Sequence, residues 1–480
     1  MPKSRFHPLI VCLLAALSCA AVQADELRST LQDQRSVAVT IYNENLALVK
    51  DLRQIQLASG QNILAFRDVS ARMRPETALL RSLTSPGKLS VIEQNFDFDL
   101  LTPEKLLEKY VGRNVNIIRT NPATGAETTE QAQVLSANEG VVMKIGNRIE
   151  TGIPGRIVYS DVPDNLRDRP TLVMTLVNSG AAQQEVELSY LTGGLAWRAD
   201  YVAELNAADD KLDLSGWVTL TNTSGTSYNN ARLQLVAGDV NQVQEEVLYE
   251  SRRDKAVMAM AAPAPRMAEE TLMEYHLYTL DRPTTISENQ TKQVSLLTAA
   301  AIPARKELLL RGAEYYYGSS YGDLGQKMKV GVFVEFDNKE ASHLGMPLPK
   351  GVIRVYKKDN AGNAQFVGED NIDHTPKNEK VRLKLGEAFD VTADKKQTDF
   401  KRLPNPAKGN ALYESAFEIV LKNAKKEAVT VAVQEPIPAD WKMLAESQKH
   451  TKASSNTAVW QVKVPAEGSA KLSYRVQVRY

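Results

Sequence analysis

The sequence predicts an all-β protein: several β-sandwich (Ig-like) modules, a small inserted SH3-like barrel and very little helix. Three observations carry this. Short runs alternating apolar and polar residues recur along nearly the whole chain, bounded by Asn, Gly, Ser and Pro. Only one stretch has the start and stop signals of a helix. Finally, Leu176-Val177-Asn178, Leu220-Thr221-Asn222, Phe336-Asp337-Asn338 and Leu421-Lys422-Asn423 each close an alternating segment on Asn. Asn suits a strand end because its side chain bonds nearby backbone and it tolerates the left-handed conformation. The spacing is irregular, which excludes a solenoid or propeller.

Residues 1–24 read as a signal peptide. Lys3 and Arg5 precede an apolar run, Leu9 to Leu17, and small residues lead to Val22-Gln23-Ala24 before Asp25. The run is too short to span a bilayer and ends in an A-x-A-like cleavage site. Cys12 and Cys19 are the only cysteines, so the expected mature chain has no thiol. That excludes disulfides, Cys-ligated zinc, iron–sulfur clusters and cysteine nucleophiles. Lipidation at Cys19 competes for the same segment, but Leu17 stands two residues before it, where a lipobox places Leu three before. Cleavage before Asp25 is the expectation. No other stretch approaches the roughly 18 apolar residues needed to cross a membrane, so no transmembrane segment is expected after cleavage. The expected location is the periplasm, with outer-membrane association or release as alternatives. Lys and Arg number 58 against 58 Asp and Glu, which gives no reason to expect nucleic acid as a partner.

A chain of 480 residues is too long for one core, and three or four domains are expected. Residues 25–95 supply N-terminal sandwich strands: Val37–Tyr42, Leu46–Val49 and Asn62–Phe66. These cannot close a sandwich alone and are expected to pair with strands after Thr171. Residues 96–165 hold the helix and barrel. Thr102 is the N-cap, Pro103 occupies the first helical position, and Gly112 stops the helix after Val111. Strands follow at Asn114–Arg119, Gln131–Ser136, Gly140–Ile145, Arg148–Ile153 and Arg156–Val158. Residues 166–250 read as a β-sandwich, 251–274 as an Ala/Met/Pro-rich flexible segment and 275–402 as a central β domain. Leu403-Pro-Asn-Pro-Ala-Lys-Gly409 reads as an interdomain linker, and residues 403–480 as an Ig-like domain. Parity places Phe417, Ile419, Leu421, Val429, Val431, Val433, Trp460, Val462, Val464, Leu472, Tyr474, Val476 and Val478 in that domain's core.

Several strings resemble the secreted bacterial proteins that carry domain of unknown function 4139. They include Leu191-Thr-Gly-Gly-Leu-Ala-Trp-Arg-Ala-Asp-Tyr201, Leu214-Ser-Gly-Trp217, Gly238-Asp-Val-Asn241, Tyr275-His-Leu-Tyr-Thr-Leu-Asp-Arg-Pro283, Leu344-Gly-Met-Pro-Leu-Pro-Lys-Gly351 and Asp373-His-Thr-Pro376. Mucoidy-inhibitor-like proteins look like more distant relatives, with an N-terminal helical region not found here. The resemblance implies an exported β-rich protein. It supplies no substrate, cofactor or catalytic residue.

The residues that could carry chemistry are few. On a strand, Arg198 and Asp200 share one face while Trp197 and Tyr201 share the other. They make either a binding dyad or, the preferred reading, a cross-strand salt-bridge ladder. Trp217 falls on a nominally polar face, which hints that its strand is covered on both sides. His374 follows Glu369, Asp370 and Asp373, a group able to cluster acidic oxygens around an imidazole for a metal or a general base. A turn histidine in a hydrogen-bonded loop is the plainer reading. Gly318-Ser-Ser-Tyr-Gly322 matches G-x-S-x-G formally, but Lys327–Phe336 after it reads as a strand where that motif needs a helix. Asp97 and Asp99 share a strand face without an evident catalytic partner. No P-loop, dinucleotide fingerprint or EF-hand loop is present.

The expected function is therefore non-enzymatic: a cell-envelope protein binding or scaffolding a protein or glycan, with no cofactor and no resident metal. Arg198, Asp200, Trp217, Glu369, Asp373 and His374 are its candidate binding residues. The alternative is a metal-assisted hydrolase of envelope material centred on the Glu369–His374 segment.

Overall fold

The computed structural model describes residues 26–97, 99–163, 166–238, 240–241, 267–359, 361–404 and 411–480. Among them are thirty β-strands and one α-helix, the all-β architecture that the alternation predicts. The segment expected to be a signal peptide, and most of the Ala/Met/Pro-rich segment, lie outside the described residues. Two compact units emerge: residues up to Ser36 with Lys50–Tyr190, and Val37–Val49 with Leu191–Tyr480.

The first strands are β1 (Glu26–Ser29), β2 (Gln34–Tyr42), β3 (Ala47–Gln56), β4 (Gly60–Arg67), β5 (Leu79–Ser82) and β6 (Leu89–Asp97). After helix α1 (Pro103–Lys109) come β7 (Asn114–Thr120), β8 (Glu127–Ser136), β9 (Val142–Ile145), β10 (Arg148–Thr151), β11 (Arg156–Val158), β12 (Thr171–Asn178) and β13 (Gln183–Thr192). In the first unit β1, β4, β12 and β6 form one sheet in that order. Thr171 pairs with both Arg67 and Asp97. The chain thus leaves this sheet after β6 and returns on the adjacent strand, so α1 and β7–β11 are an excursion from it.

Helix α1 begins as its signals dictate, with the Thr102 hydroxyl accepting from the Lys105 N–H at 3.1 Å. It ends at Lys109, two residues short of expectation, and Gly112 adopts φ +82° beyond it. Leu107 and Tyr110 pack with Val115, Ile117, Val134, Met143 and Ile145 of the next sheet. That sheet runs β10-β9-β8-β7-β11 and stays open, so the expected small SH3-like barrel is here an open sheet. Its end strands have only four and three residues and are largely exposed, too short to meet across a barrel seam. The helix covers the apolar face instead.

The second unit adds β14 (Leu195–Leu205), β15 (Lys211–Asn222), β16 (Tyr228–Ala237), β17 (Ala268–Leu272), β18 (Tyr275–Thr279), β19 (Thr284–Ile286), β20 (Gln290–Arg311), β21 (Asp323–Asp337), β22 (Gly351–Lys358) and β23 (Ala364–Ile372). Its last strands are β24 (Lys380–Leu403), β25 (Leu412–Asn423), β26 (Val429–Pro436), β27 (Asp440–Glu446), β28 (Thr451–Ser454), β29 (Thr457–Val464) and β30 (Gly468–Arg479). Strand β17 falls inside the segment expected to be flexible. It pairs with β18, and all five of its residues are exposed, so no alternation announces it.

Strands β23, β22, β14, β15 and β20 lie side by side. Trp197, Ala199, Tyr201, Ala203 and Leu205 fill the core face of β14, as parity predicts. Parallel strands β14 and β22 come close enough at Gly351 that a Cβ there would meet the Ala199 carbonyl oxygen at 2.2 Å. Only glycine fits.

The C-terminal sandwich corrects the expected boundary at residue 403. Strand β24 pairs with β21 from Lys380 to Lys396 and with β25 from Val391 onward, ending on Leu403↔Leu412. The Leu403–Gly409 segment therefore joins two partners of one hairpin, and most of it lies outside the described residues. The far end of β20 pairs in parallel with β26. Phe417, Ile419, Leu421, Val431, Val433, Trp460 and Tyr474 are buried as expected, but Leu308, Leu310, Tyr316, Tyr317 and Val330 complete the same core. Residues 403–480 are thus part of a sandwich, not the whole of one.

The recurring asparagines prove to be buried clamps. Asn178, Asn222, Asn338 and Asn423 are each 3% exposed or less. Asn222 Nδ2 donates to the carbonyls of Thr226 and Ile286, and its Oδ1 accepts from the Ser224 N–H. Asn423 repeats the pattern with Glu427, Pro465 and Lys425. Asn338 likewise donates to Met346 and Pro376 and accepts from Gly345. Each ties the turn after its strand to a second segment, satisfying backbone groups that a tight turn leaves unpaired.

Candidate functional site

On the outer face of the β23-β22-β14-β15-β20 sheet, strand pairing collects most of the candidate residues. Asp200 sits on β14 directly opposite Trp217 of β15. Its Oδ2 accepts from the Thr219 hydroxyl at 2.7 Å and from Arg198 Nε at 3.2 Å. Its Oδ1 accepts from Arg354 Nη1 at 3.0 Å. Arg354, on β22, also pairs with Glu369 of β23 at 3.2 Å, and Gln293 of β20 donates to Thr219 at 3.1 Å. Burial works to raise the Asp200 carboxyl. The hydrogen bonds from Thr219 and Arg354 and the charge of Arg198 outweigh it and hold the group below the usual carboxylate range.

This is the cross-strand ladder that alternation favours, running from Glu369 through Arg354 and Asp200 to Arg198. Arg354 is the residue that sequence reading missed. Nothing local marks it, because the parallel pairing of β14 with β22 joins segments about 150 residues apart. Trp217 is half-buried beside this ladder, on a face otherwise polar.

The Glu369–His374 group does not converge. Residues 364–372 form strand β23, not a loop, so Glu369 and Asp370 project to opposite faces. Glu369 meets Arg354. Asp370 accepts from the backbone N–H groups of Asn371 and Lys384 at 2.9 and 2.7 Å. Asp373 is exposed, and its carbonyl accepts from the Thr375 hydroxyl. The half-buried His374 accepts at Nδ1 from the Lys350 N–H at 3.2 Å, and its Nε2 stands 3.4 Å from the Asn43 amide nitrogen. Among the described residues, no three His, Cys, Asp or Glu side chains stand together as metal ligands.

The other motifs resolve as structure. Gly318–Gly322 follows the 3-10 turn Glu314–Tyr317 and leads into β21, with Ser320 exposed, which is no nucleophile elbow. Asp97 pairs with Arg167 at 2.9 Å and Asp99 with Lys109 at 2.8 Å, separately.

A second surface has more to offer a ligand. Around the Gly318–Gly322 loop, aromatic rings form a row. Phe400 stacks on Tyr413 at 5.4 Å, Tyr413 meets Tyr480 edge-on at 5.7 Å, and Tyr321 meets Tyr315 at 5.7 Å. Tyr315 is 59% exposed and Tyr480 42%. A Cβ at Gly318 would lie 3.8 Å from the Tyr480 hydroxyl, so Tyr480 sits against the loop that carries Tyr321; burial, and then the neighbouring Tyr413, Glu314 and Tyr321, raise that hydroxyl above its ordinary value. Strand parity explains the row. Phe417 is a core residue, and Tyr413, four positions earlier on β25, faces the same way; the row continues the core face to the open end of the sandwich. The loop is pinned there by Gln397, which donates to the carbonyls of Tyr316 and Ser319 and accepts from the Tyr321 N–H. The run Tyr315-Tyr316-Tyr317 and Tyr321 were the sequence signal for it.

Residues 186–480 match the family described as Domain of unknown function (DUF4139). No curated protein matches the chain.

Proposed function

We propose, for a chain that belongs to the DUF4139 family, a non-enzymatic role: an exported cell-envelope protein that binds glycan through its C-terminal sandwich while the other sheets act as scaffold. The aromatic row Phe400, Tyr413, Tyr480, Tyr321 and Tyr315 carries this reading. Tyrosine rings offer an apolar face and a hydroxyl together, which suits the C–H faces and hydroxyls of sugar rings. By contrast, Arg198, Asp200, Arg354 and Glu369 already satisfy one another in the ladder. Export rests on the N-terminal segment, with cleavage before Asp25; mass spectrometry of the protein recovered from cells tests it, and a retained Met1 or an acylated Cys19 would contradict it.

The binding test is co-sedimentation with insoluble cell-wall glycan, comparing the wild type with a Tyr315→Ala/Tyr480→Ala variant. Loss of sedimentation in the variant supports the reading. Equal sedimentation removes the row from consideration, and soluble sugar fragments released by the wild type would favour the hydrolase alternative.

A further inference from the structure

Lys395 of β24 and Glu435 of β26 form an ion pair whose side chains are 1% and 0% exposed. Lys395 Nζ lies 2.6 Å from Oε1 and 2.7 Å from Oε2, so the amine is held against both oxygens of the one carboxyl group. The Tyr317 hydroxyl donates to Oε2 at 3.0 Å and is itself 3.0 Å from the Tyr474 hydroxyl. The rings of Tyr316, Phe417 and Tyr474 surround the amine at 4.2, 5.1 and 6.0 Å. At Gly312 a Cβ would meet Oε2 at 2.1 Å, so glycine leaves the carboxyl its room. As a structural device such a pair gains little. Two charges taken out of water seldom stabilise more than apolar residues of the same volume would.

We propose that Lys395 and Glu435 condense into an intramolecular isopeptide bond. It would staple β24 to β26, in a chain whose only cysteines are Cys12 and Cys19. The step balances without a co-reactant. One ammonium proton passes along the 2.6 Å hydrogen bond to Oε1, leaving an uncharged amine as the nucleophile. Burial independently pulls the Lys395 amine below its ordinary value, against the opposing pull of Glu435. Nζ then attacks Cδ. The N–C bond forms, Tyr317 donates to Oε2 as charge develops there, Nζ gives up a second proton to Oε1, and the Cδ–Oε1 bond breaks to release that oxygen as water, leaving Oε2 as the amide carbonyl. The neutral pair need form only once per molecule, because nothing in the dry core reverses the amide.

The test is the mass of the full-length protein under denaturing conditions, with the termini fixed by peptide mapping. The proposal expects a mass one water below that of the sequence, and a branched peptide joining the Lys395 and Glu435 segments after digestion. Tyr317→Phe is expected to slow formation about a hundredfold, so that fresh protein is mostly unlinked and gains the link on standing. A folded wild type at full sequence mass overturns the proposal and leaves a buried ion pair alone. A Tyr317→Phe protein linked as fast as the wild type overturns the role of Tyr317.

Discussion

Replacing Asn423 by Ala tests whether the recurring asparagines hold the sandwiches together. Asn423 is 3% exposed. Its Nδ2 donates to the Glu427 carbonyl at 2.8 Å and the Pro465 carbonyl at 2.9 Å, while Oδ1 accepts from the Lys425 N–H at 3.0 Å. Alanine leaves those three backbone groups without their partner. Each lost hydrogen bond is worth about 1 kcal/mol net, rising to about 3 where the orphaned group stays dry. Glu427 lies at the surface, so its carbonyl can recover water. The expected cost is about 2–4 kcal/mol. Asn423→Asp should cost more at neutral pH, because a carboxylate would face two carbonyl oxygens, and burial with that repulsion raises its folded pKa. Stability is then present below the ordinary Asp value and is lost as pH rises through the folded one. Denaturant unfolding followed by tryptophan fluorescence reads both, since Trp441 and Trp460 belong to this core. An Asn423→Ala midpoint indistinguishable from wild type would refute the clamp.

Further expectations concern the same framework. Trp460 is fully buried and stacks on Tyr474 at 4.8 Å, so Trp460→Ala should cost about 3–5 kcal/mol by denaturant titration. Loss of the Thr102 cap in Thr102→Ala should cost about 1 kcal/mol, read as a lowered melting transition. Asp200 has a depressed folded pKa. Its contribution is therefore present above the unfolded Asp value and disappears as pH falls through the folded one, and an Asp200→Asn variant should flatten the acid limb of the stability profile. An unchanged acid limb would count against the ladder.

What the sequence disclosed and what it withheld follow from one distinction. Alternation fixes which side chains face inward, so the β14 and β29 registers, with Trp197 and Trp460 inside, were readable without coordinates. Pairing between distant segments is not encoded locally. The parallel contact of β14 with β22 supplied Arg354 and turned two separate candidate groups into one ladder. Long strands defeat boundary reading for a related reason. β24 has 24 residues and β20 has 22, each pairing with different partners along its length. A Pro-rich connection between β24 and β25 therefore looked like a linker. Exposed edge strand β17 carries no alternation because neither of its faces is buried. The aromatic row was half legible, as a tyrosine run whose partners on β24 and β25 only the fold brings beside it.

Calorimetric titration of soluble cell-wall glycan fragments into the intact protein tests the functional reading most directly. The wild type is expected to bind saturably. Tyr315→Ala/Tyr480→Ala is expected to bind about tenfold or more weakly, with its unfolding midpoint unchanged. Equal affinity in the two proteins, or no binding heat from any glycan fragment, would contradict it.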